Sequence, residues 1–182
     1  MRNWLFHRLG VLFAAMARAE LLGLVFIVLL GSALHFTFEA SGRYWVIGVF
    51  SAMNESVWEH LKLAFWPSLF WTGILRACSA SATRNFWAGR ATALALPPIL
   101  IAVGFYAYKG ILGGHLLVLD IGLFVLSVAI GQLCAVLIYR ANFVERELKW
   151  VSIGSIILMT FVFCVASFFP PDLAMFIDES VQ

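Results

Sequence analysis

Long apolar runs alternate with short polar segments along the whole chain. Runs of roughly 20 residues are long enough to cross a hydrocarbon core about 30 Å thick. Because a backbone inside lipid must satisfy its own hydrogen bonds, each run predicts a helix. The predicted spans are residues 21–38, 55–77, 88–108, 115–139 and 148–169. We therefore predict an all-α integral membrane helical bundle that forms a single transmembrane domain over residues 1–182.

The two ends of the chain differ from these spans. Residues 1–19 contain Ala17-Arg18-Ala19, which has the small-x-small form of a cleavage site, but an arginine inside that motif argues against a signal peptide. We expect a retained interfacial helix instead. Pro170 and Pro171 end the fifth span because proline cannot continue a helix, and residues 170–182 form an external acidic tail.

Composition supports the membrane assignment and excludes other classes. Hydrophobic residues make up 63% of the chain and charged residues 12%, whereas soluble domains carry about a quarter charged residues. The basic residues are spread between apolar runs, so nucleic-acid binding is not supported. The three cysteines are far apart and form no C-x-x-C pair, which disfavours structural zinc and a disulfide framework.

Lysine and arginine are distributed unevenly between alternate segments, which predicts orientation. Cytoplasmic flanks retain positive charge. Nine of the twelve basic residues fall before span one, or in and at the edges of the loops that follow spans two and four: Arg2, Arg8, Arg18, Arg76, Arg84, Arg90, Arg140, Arg146 and Lys149. The opposite side holds Arg43, Lys62 and Lys109. The N-terminus is therefore predicted to be cytoplasmic and the C-terminus periplasmic or external, in a bacterial-type inner membrane.

Most polar groups of chemical interest fall at the external end of this topology. They are His35, Glu39, Glu55, Ser56, Glu59, His60, Lys62, His115, Asp120 and Asp178. Ionisable groups at membrane depth are costly and usually face the bundle interior or an aqueous cavity, so they indicate a functional site. The loop from Ala40 to Met53 is apolar enough to dip into the bilayer or to cover this cluster.

Helical spacing indicates which faces point inward, because residues three or four apart share a face. Small residues let membrane helices approach closely. Two stripes of small and polar residues meet this description: Gly31, Ser32, His35 and Glu39 on span one, and Asp120, Ser127, Gly131 and Ala135 on span four.

The start of span two carries the densest polar sequence. Asn54 is a good N-cap, Glu55 meets the positive end of the helix, and Lys62 can pair with Glu59 at i, i+3. Capping explains only part of this string. Imidazole and carboxylate from several helices suit zinc, iron or manganese, and we predict His35, Glu59 and His60 as metal ligands, with Glu55 and Asp120 as catalytic acid or base. An interfacial network of ion pairs and hydrogen bonds explains the same residues without a metal.

The string Asn54 to Lys62 (N-E-S-V-W-E-H-L-K), with His35 upstream and Pro170-Pro171, Phe176 and Asp178 downstream, resembles a family of small bacterial polytopic membrane proteins that is catalogued as a domain of unknown function. The resemblance extends from about Leu22. It implies no activity, but it supports grouping one set of residues as a unit: His35, Glu55, Glu59, His60 and Asp178.

Ser56 and His60 form a Ser-x-x-x-His fragment that is similar to one found in the alkaline ceramidase and progestin-receptor-like superfamily of membrane hydrolases. The H-x-x-x-H motif of that superfamily is absent, and five predicted spans fall short of its seven, so only the chemistry is suggestive.

These features leave several function classes open. The first is a membrane-embedded, metal-dependent hydrolase or transferase that acts on a lipid or small amphiphile. The alternatives are a small proton-coupled transporter or channel, a redox subunit with haem between His35 and His60 or His115, and a structural membrane partner protein. The sequence does not determine the oligomeric state.

Overall fold

A computed structural model describes residues 2–78, 85–141 and 146–178, with side chains from residue 14 and, in the last segment, from residue 148. Within these residues the protein is all-helical. The helices are α1 (Arg2–Ala40), α2 (Trp45–Gly48), α3 (Val57–Ala77), α4 (Phe86–Leu112), α5 (Leu117–Arg140) and α6 (Arg146–Ala166), followed by a 3₁₀ turn at Ala174–Phe176.

Four of these helices are long and apolar enough to cross a membrane, so the protein is a multi-pass membrane protein. They are Ala14–Ala40 within α1, α4, α5 and Leu148–Ala166 within α6. The predicted bundle is confirmed. One difference is that α1 continues without a break from Arg2 to Ala40, so no separate helix ends at residue 19. The interfacial location of residues 1–19 stays a prediction, and the side chains before residue 14 lie outside the described part.

The helix α3, predicted as the second span, is the most enclosed helix of the bundle. Thirteen of its 21 residues are buried, including Glu59 and Lys62, and these charges make it more polar than the four apolar helices. Lipid-facing helices instead expose large apolar side chains on one side, as α5 does with Leu126 and Leu133. The buried position of α3 explains how a helix with several polar residues fits a membrane protein.

The helices α1, α3, α4 and α5 pack as a closed ring of neighbours, and α6 packs against α4. Aromatic side chains join α6 and the C-terminal segment to α3. Phe163 stacks on Phe65 and Trp58, and Phe176 of the 3₁₀ turn stacks on the same Trp58, with ring centroids 4.4–4.8 Å apart. Such ring pairs contribute about 0.5–1.5 kcal/mol each beyond the area that they bury. They hold the segment after Pro170-Pro171 against the start of α3.

Two glycines face backbone carbonyls that prolines leave without a helical donor. Pro67 cannot donate to Leu63, and a side-chain carbon at Gly31 of α1 would lie only 2.5 Å from that carbonyl oxygen. Pro97 has the same effect on Ala93, and a carbon at Gly131 of α5 would lie 2.7 Å from the Pro97 ring and 3.4 Å from the Ala93 oxygen. The two predicted small-residue stripes therefore do contact neighbouring helices at these glycines.

The loop between α1 and α3 folds over the end of the bundle. The Ser51 hydroxyl donates to the Leu34 carbonyl and accepts from the Phe38 amide, which closes the end of α1. The Lys62 ammonium donates to the Gly48 carbonyl at 2.7 Å. The loop thus covers the first turns of α3. Its position is fixed by the hydrogen bonds of Ser51, Gly48 and Lys62.

Candidate metal and substrate site

His35, Glu55 and His60 come together at the end of the bundle where α1 ends and α3 begins. One ligand atom from each lies within 4.8 Å of those of the other two, and this is the group of potential metal ligands found among the described residues. Glu55 lies 3.4 Å from His60 Nε2 and 3.8 Å from His35 Nε2. We call these three residues the triad. The triad is partly exposed, so solvent can reach it.

The first turn of α3 places two members of the triad. Ser56, rather than the predicted Asn54, is the N-cap, and its hydroxyl accepts from the Glu59 amide. Asn54 instead accepts from the Ser56 amide through its side-chain oxygen, at 2.9 Å. Glu55 therefore lies before the helix, where its carboxylate can reach both histidines, while His60 follows one turn later.

The orientation of His60 leaves a lone pair directed at Glu55. Its Nδ1 lies 2.9 Å from the Ser56 carbonyl oxygen, which can only accept, so Nδ1 carries the hydrogen. In the neutral ring Nε2 then has a free lone pair, and it faces the Glu55 carboxylate. A metal ion can bridge these two acceptors, whereas a protonated ring would pair with Glu55 directly. A carbonyl that fixes the distal ring nitrogen is typical of metal-bound histidine.

His35 completes the set without a competing hydrogen bond. Its Nδ1 is buried and has no hydrogen-bond partner among the described residues, and its Nε2 is beyond hydrogen-bond distance from Glu55. Its ring lies beside that of His60, with centroids 5.3 Å apart. Within the described part of the chain, no hydrogen bond to His35 would therefore compete with a ligand at the triad.

Glu59 takes a different place from the one predicted for it. Its carboxylate lies 2.6 Å from the Lys62 ammonium and 2.7 Å from the Met53 amide, and both charged side chains are buried. The expected i, i+3 pair with Lys62 is confirmed. Because this pair occupies the Glu59 carboxylate, the structure brings Glu55, not Glu59, to the two histidines. Glu59 and Lys62 instead hold the loop to α3.

A cavity of about 590 Å³ opens beside the triad and is lined mostly by apolar side chains. Its walls come from α1, α3, α4 and α5. The polar side chains in the lining are the three residues of the triad together with Ser32, His115 and Asp120. The volume falls within the range of roughly 300–1,000 Å³ that is typical of small-molecule sites.

His115 and Asp120 form a second polar group in the same cavity. Asp120 accepts a hydrogen bond from the Tyr108 hydroxyl, and its other oxygen lies 3.2 Å from His115 Nδ1. Asp120 belongs to the first turn of α5, since that helix begins at Leu117. It is thus half-buried and hydrogen-bonded, with a histidine as its neighbour.

The remaining predicted residues do not belong to the triad. Glu39 is exposed and pairs with Arg43 at 3.5 Å, four residues along the chain. Ser56 acts as the cap of α3. Asp178 follows the 3₁₀ turn and does not belong to the ligand group found among the described residues. Its predicted grouping with the triad remains untested.

A second polar cluster, at the opposite end of the bundle, is absent from the sequence-based prediction. The Arg90 guanidinium donates to Glu20 at 2.7 Å, to Gln132 at 3.2 Å and to the Thr72 hydroxyl at 3.0 Å. The Tyr139 hydroxyl donates to the other Glu20 oxygen at 2.7 Å. All five side chains are buried, and they come from α1, α3, α4 and α5.

Arg90 was expected in a cytoplasmic loop, and this expectation is wrong because α4 begins at Phe86 and Arg90 is fully buried within it. The available signal was an unusual acid, Glu20, at the start of the first apolar run. A single acid there and a single base in another run suggest a pair. Glu20 and Arg90 are separated by 70 positions, and only the packing shows that they meet.

No curated protein and no solved structure matches the chain. A family described as being of unknown function, DUF6512, matches residues 12–182. The match includes the triad, the cavity and the buried cluster around Arg90. The chain therefore belongs to this family of unknown function, as its resemblance to such a family predicted.

Proposed function

We propose that the protein is a membrane-embedded, metal-dependent hydrolase whose substrate is a lipid or other amphiphile. The observation that carries this proposal is the position of His35, Glu55 and His60 in the wall of a mostly apolar cavity. Two histidines and one glutamate are a ligand set of catalytic zinc, which leaves a fourth position for water or substrate.

The spacing of the triad supports a small divalent ion. Ligands of a tetrahedral zinc lie roughly 3.3 Å apart, given bonds of 2.0–2.2 Å. The 3.4 Å between Glu55 Oε2 and His60 Nε2 meets this spacing, and the 3.8 Å between Glu55 Oε1 and His35 Nε2 is slightly longer. The ring centroids of the two histidines lie 5.3 Å apart, which favours one small ion over a haem between them.

A divalent ion held by the triad would lower the pKa of a bound water and polarise an ester or amide carbonyl. The residues of the cavity supply the rest of the chemistry. In this proposal Asp120 would accept a proton from water as the water oxygen adds to the carbonyl carbon, and would pass the same proton to the leaving group as the bond to that group breaks. His115 and Tyr108 hold Asp120 in place for this step. Glu55 acts as a ligand in this account, and Asp120 keeps its predicted catalytic role.

Charge distribution supports an inner-membrane protein of bacterial type with the triad on the external side. Arg90 and Lys62 are buried within helices and do not count as flanking charges. By their place in the sequence, eight of the ten remaining basic residues precede the first span or lie in and beside the segments that join α3 to α4 and α5 to α6, which predicts the cytoplasm on that side. The substrate would therefore come from the outer leaflet.

The first test is elemental analysis of purified protein that has been exposed to zinc and then dialysed. Wild type is expected to retain one equivalent, and His60→Ala and Glu55→Gln are expected to lose it. His115→Ala is the matched control, because His115 lines the same cavity outside the triad. Glu59→Gln tests the earlier assignment and should retain the metal if it folds. Wild type without metal, or equal retention by all four variants, would refute the metal site.

Activity is tested by incubating the zinc-loaded protein in vesicles of mixed phospholipids and ceramide, with mass spectrometry of released fatty acids. Asp120→Asn should keep the metal and lose at least tenfold in rate, because general acid catalysis contributes about 10²–10⁴-fold. Wild-type protein that holds the metal and releases no fatty acid would contradict the hydrolase proposal. It would leave the triad as a metal site of another function.

A further inference from the structure

We infer that the cavity admits one acyl chain of a membrane lipid, which enters sideways from the bilayer through an opening between α1 and α5. This inference rests on the proposed function, since it identifies the substrate of the same site. It places the ester group at the triad and the chain in the apolar part of the cavity.

The back of the cavity is closed. Its wall is formed by side chains of α3 and α4, namely Leu63, Ile101 and Phe105, which are only 6–8% exposed. The helices α3 and α4 pack against each other, and these buried side chains cover this side of the cavity. A ligand that reaches the triad must come from another side.

The front of the cavity is continuous with the lipid-facing surface. The lining residues there are Phe36 of α1 and Leu117 and Ile121 of α5, and they are 67%, 71% and 55% exposed. Both helices are candidate membrane spans. Because these apolar side chains line the cavity and are also exposed, the cavity opens to hydrocarbon at this place. The helices α1 and α5 touch each other farther from the helix ends, at Gly31 and Phe124.

The polarity along the cavity matches an amphiphile. The triad and Asp120 lie in the cavity wall near the helix ends, while Val28 of α1 and Val125 of α5 line the opposite end of the cavity. His35 lies seven positions after Val28, which is about 10 Å along a helix. A lipid whose headgroup stays at the interface would extend its chain in this direction, toward the bilayer centre. An acyl chain therefore fits the cavity better than a water-soluble substrate does.

Photo-crosslinking tests this inference. The protein is placed in phosphatidylcholine vesicles that contain a phosphatidylcholine with a diazirine in one acyl chain, and labelled peptides are identified by mass spectrometry. We expect labelling of cavity residues in α1 and α5 to fall at least fivefold in Val125→Trp, which fills the cavity. The adjacent Leu126→Trp is the matched control, because Leu126 is 58% exposed and does not line the cavity.

A second pair, Val28→Trp against Leu29→Trp, repeats the comparison on α1 if the first variant does not fold. Leu29 is exposed and also lies outside the lining. Equal labelling of cavity residues in filled and control variants would overturn the inference. Zinc content of the same samples separates the two proposals. Cavity labelling without metal would support chain binding and refute the metal-dependent hydrolase. Metal without cavity labelling would support the metal site and refute chain binding.

Discussion

Arg90 and Glu20 are fully buried and joined at 2.7 Å, so removing one of them leaves the other charge unpaired inside the bundle. Breaking a buried ion pair in this way costs about 3–5 kcal/mol. Arg90 also donates to Gln132 and Thr72, and these losses add to the cost. We therefore predict that Arg90→Met lowers the free energy of unfolding by about 3–5 kcal/mol.

The double variant Glu20→Leu/Arg90→Met removes both charges together. Replacement of a buried pair by apolar side chains is often close to neutral, although Tyr139 and Gln132 here lose their partners at roughly 1–3 kcal/mol. The double variant should therefore be no less stable than Arg90→Met alone. By the same argument Glu20→Leu alone should cost about 3–5 kcal/mol, so the interaction energy from the double-mutant cycle should be at least about 3 kcal/mol.

The assay is unfolding by sodium dodecyl sulfate in mixed micelles, followed by circular dichroism. Arg76→Met is the control, because Arg76 is an exposed base at the end of α3 and its loss should change stability by less than about 0.5 kcal/mol. Additive losses in the cycle, or equal effects of Arg90→Met and Arg76→Met, would refute the argument that a buried ion pair joins α1 to α4.

The remaining predictions concern backbone geometry and the loop, and the same unfolding assay checks them. Gly31→Ala should destabilise by about 1–3 kcal/mol because the added carbon overlaps the Leu63 carbonyl, whereas Gly122→Ala, in open space, should stabilise by about 0.5–1 kcal/mol; stabilisation by both would contradict the close contact. Lys62→Met should cost about 3–5 kcal/mol, because it leaves the Glu59 carboxylate buried without its cation, and an effect below about 1 kcal/mol would mean that Glu59 is solvated. Asn85 has a positive φ of 55° and donates to two carbonyls near the end of α5, so Asn85→Ala should cost about 1–3 kcal/mol and Asn85→Gly less; an equal cost of the two would show that φ is not the reason.

Much of the candidate site could be recognised before its geometry was known. Helical topology brings the end of α1 and the starts of α3 and α5 to one membrane level, so His35, His60 and Asp120 had to lie at the same end of the bundle. The choice between Glu55 and Glu59 could not be made in this way. It depends on the N-cap: because Ser56 caps α3, Glu55 stays outside the helix and Glu59 turns inward toward Lys62.

The apolar runs by themselves determined the all-helical membrane bundle and the approximate helix bounds, because a backbone in lipid has few ways to satisfy its hydrogen bonds. They did not determine lateral packing, which depends on close contacts such as that of Gly31 with the Leu63 carbonyl. The pairing of Glu20 with Arg90 likewise required the tertiary structure. A buried charge is tolerated wherever an oppositely charged side chain from any helix reaches it. The residues next to Glu20 or Arg90 in the sequence do not indicate which helix supplies that side chain.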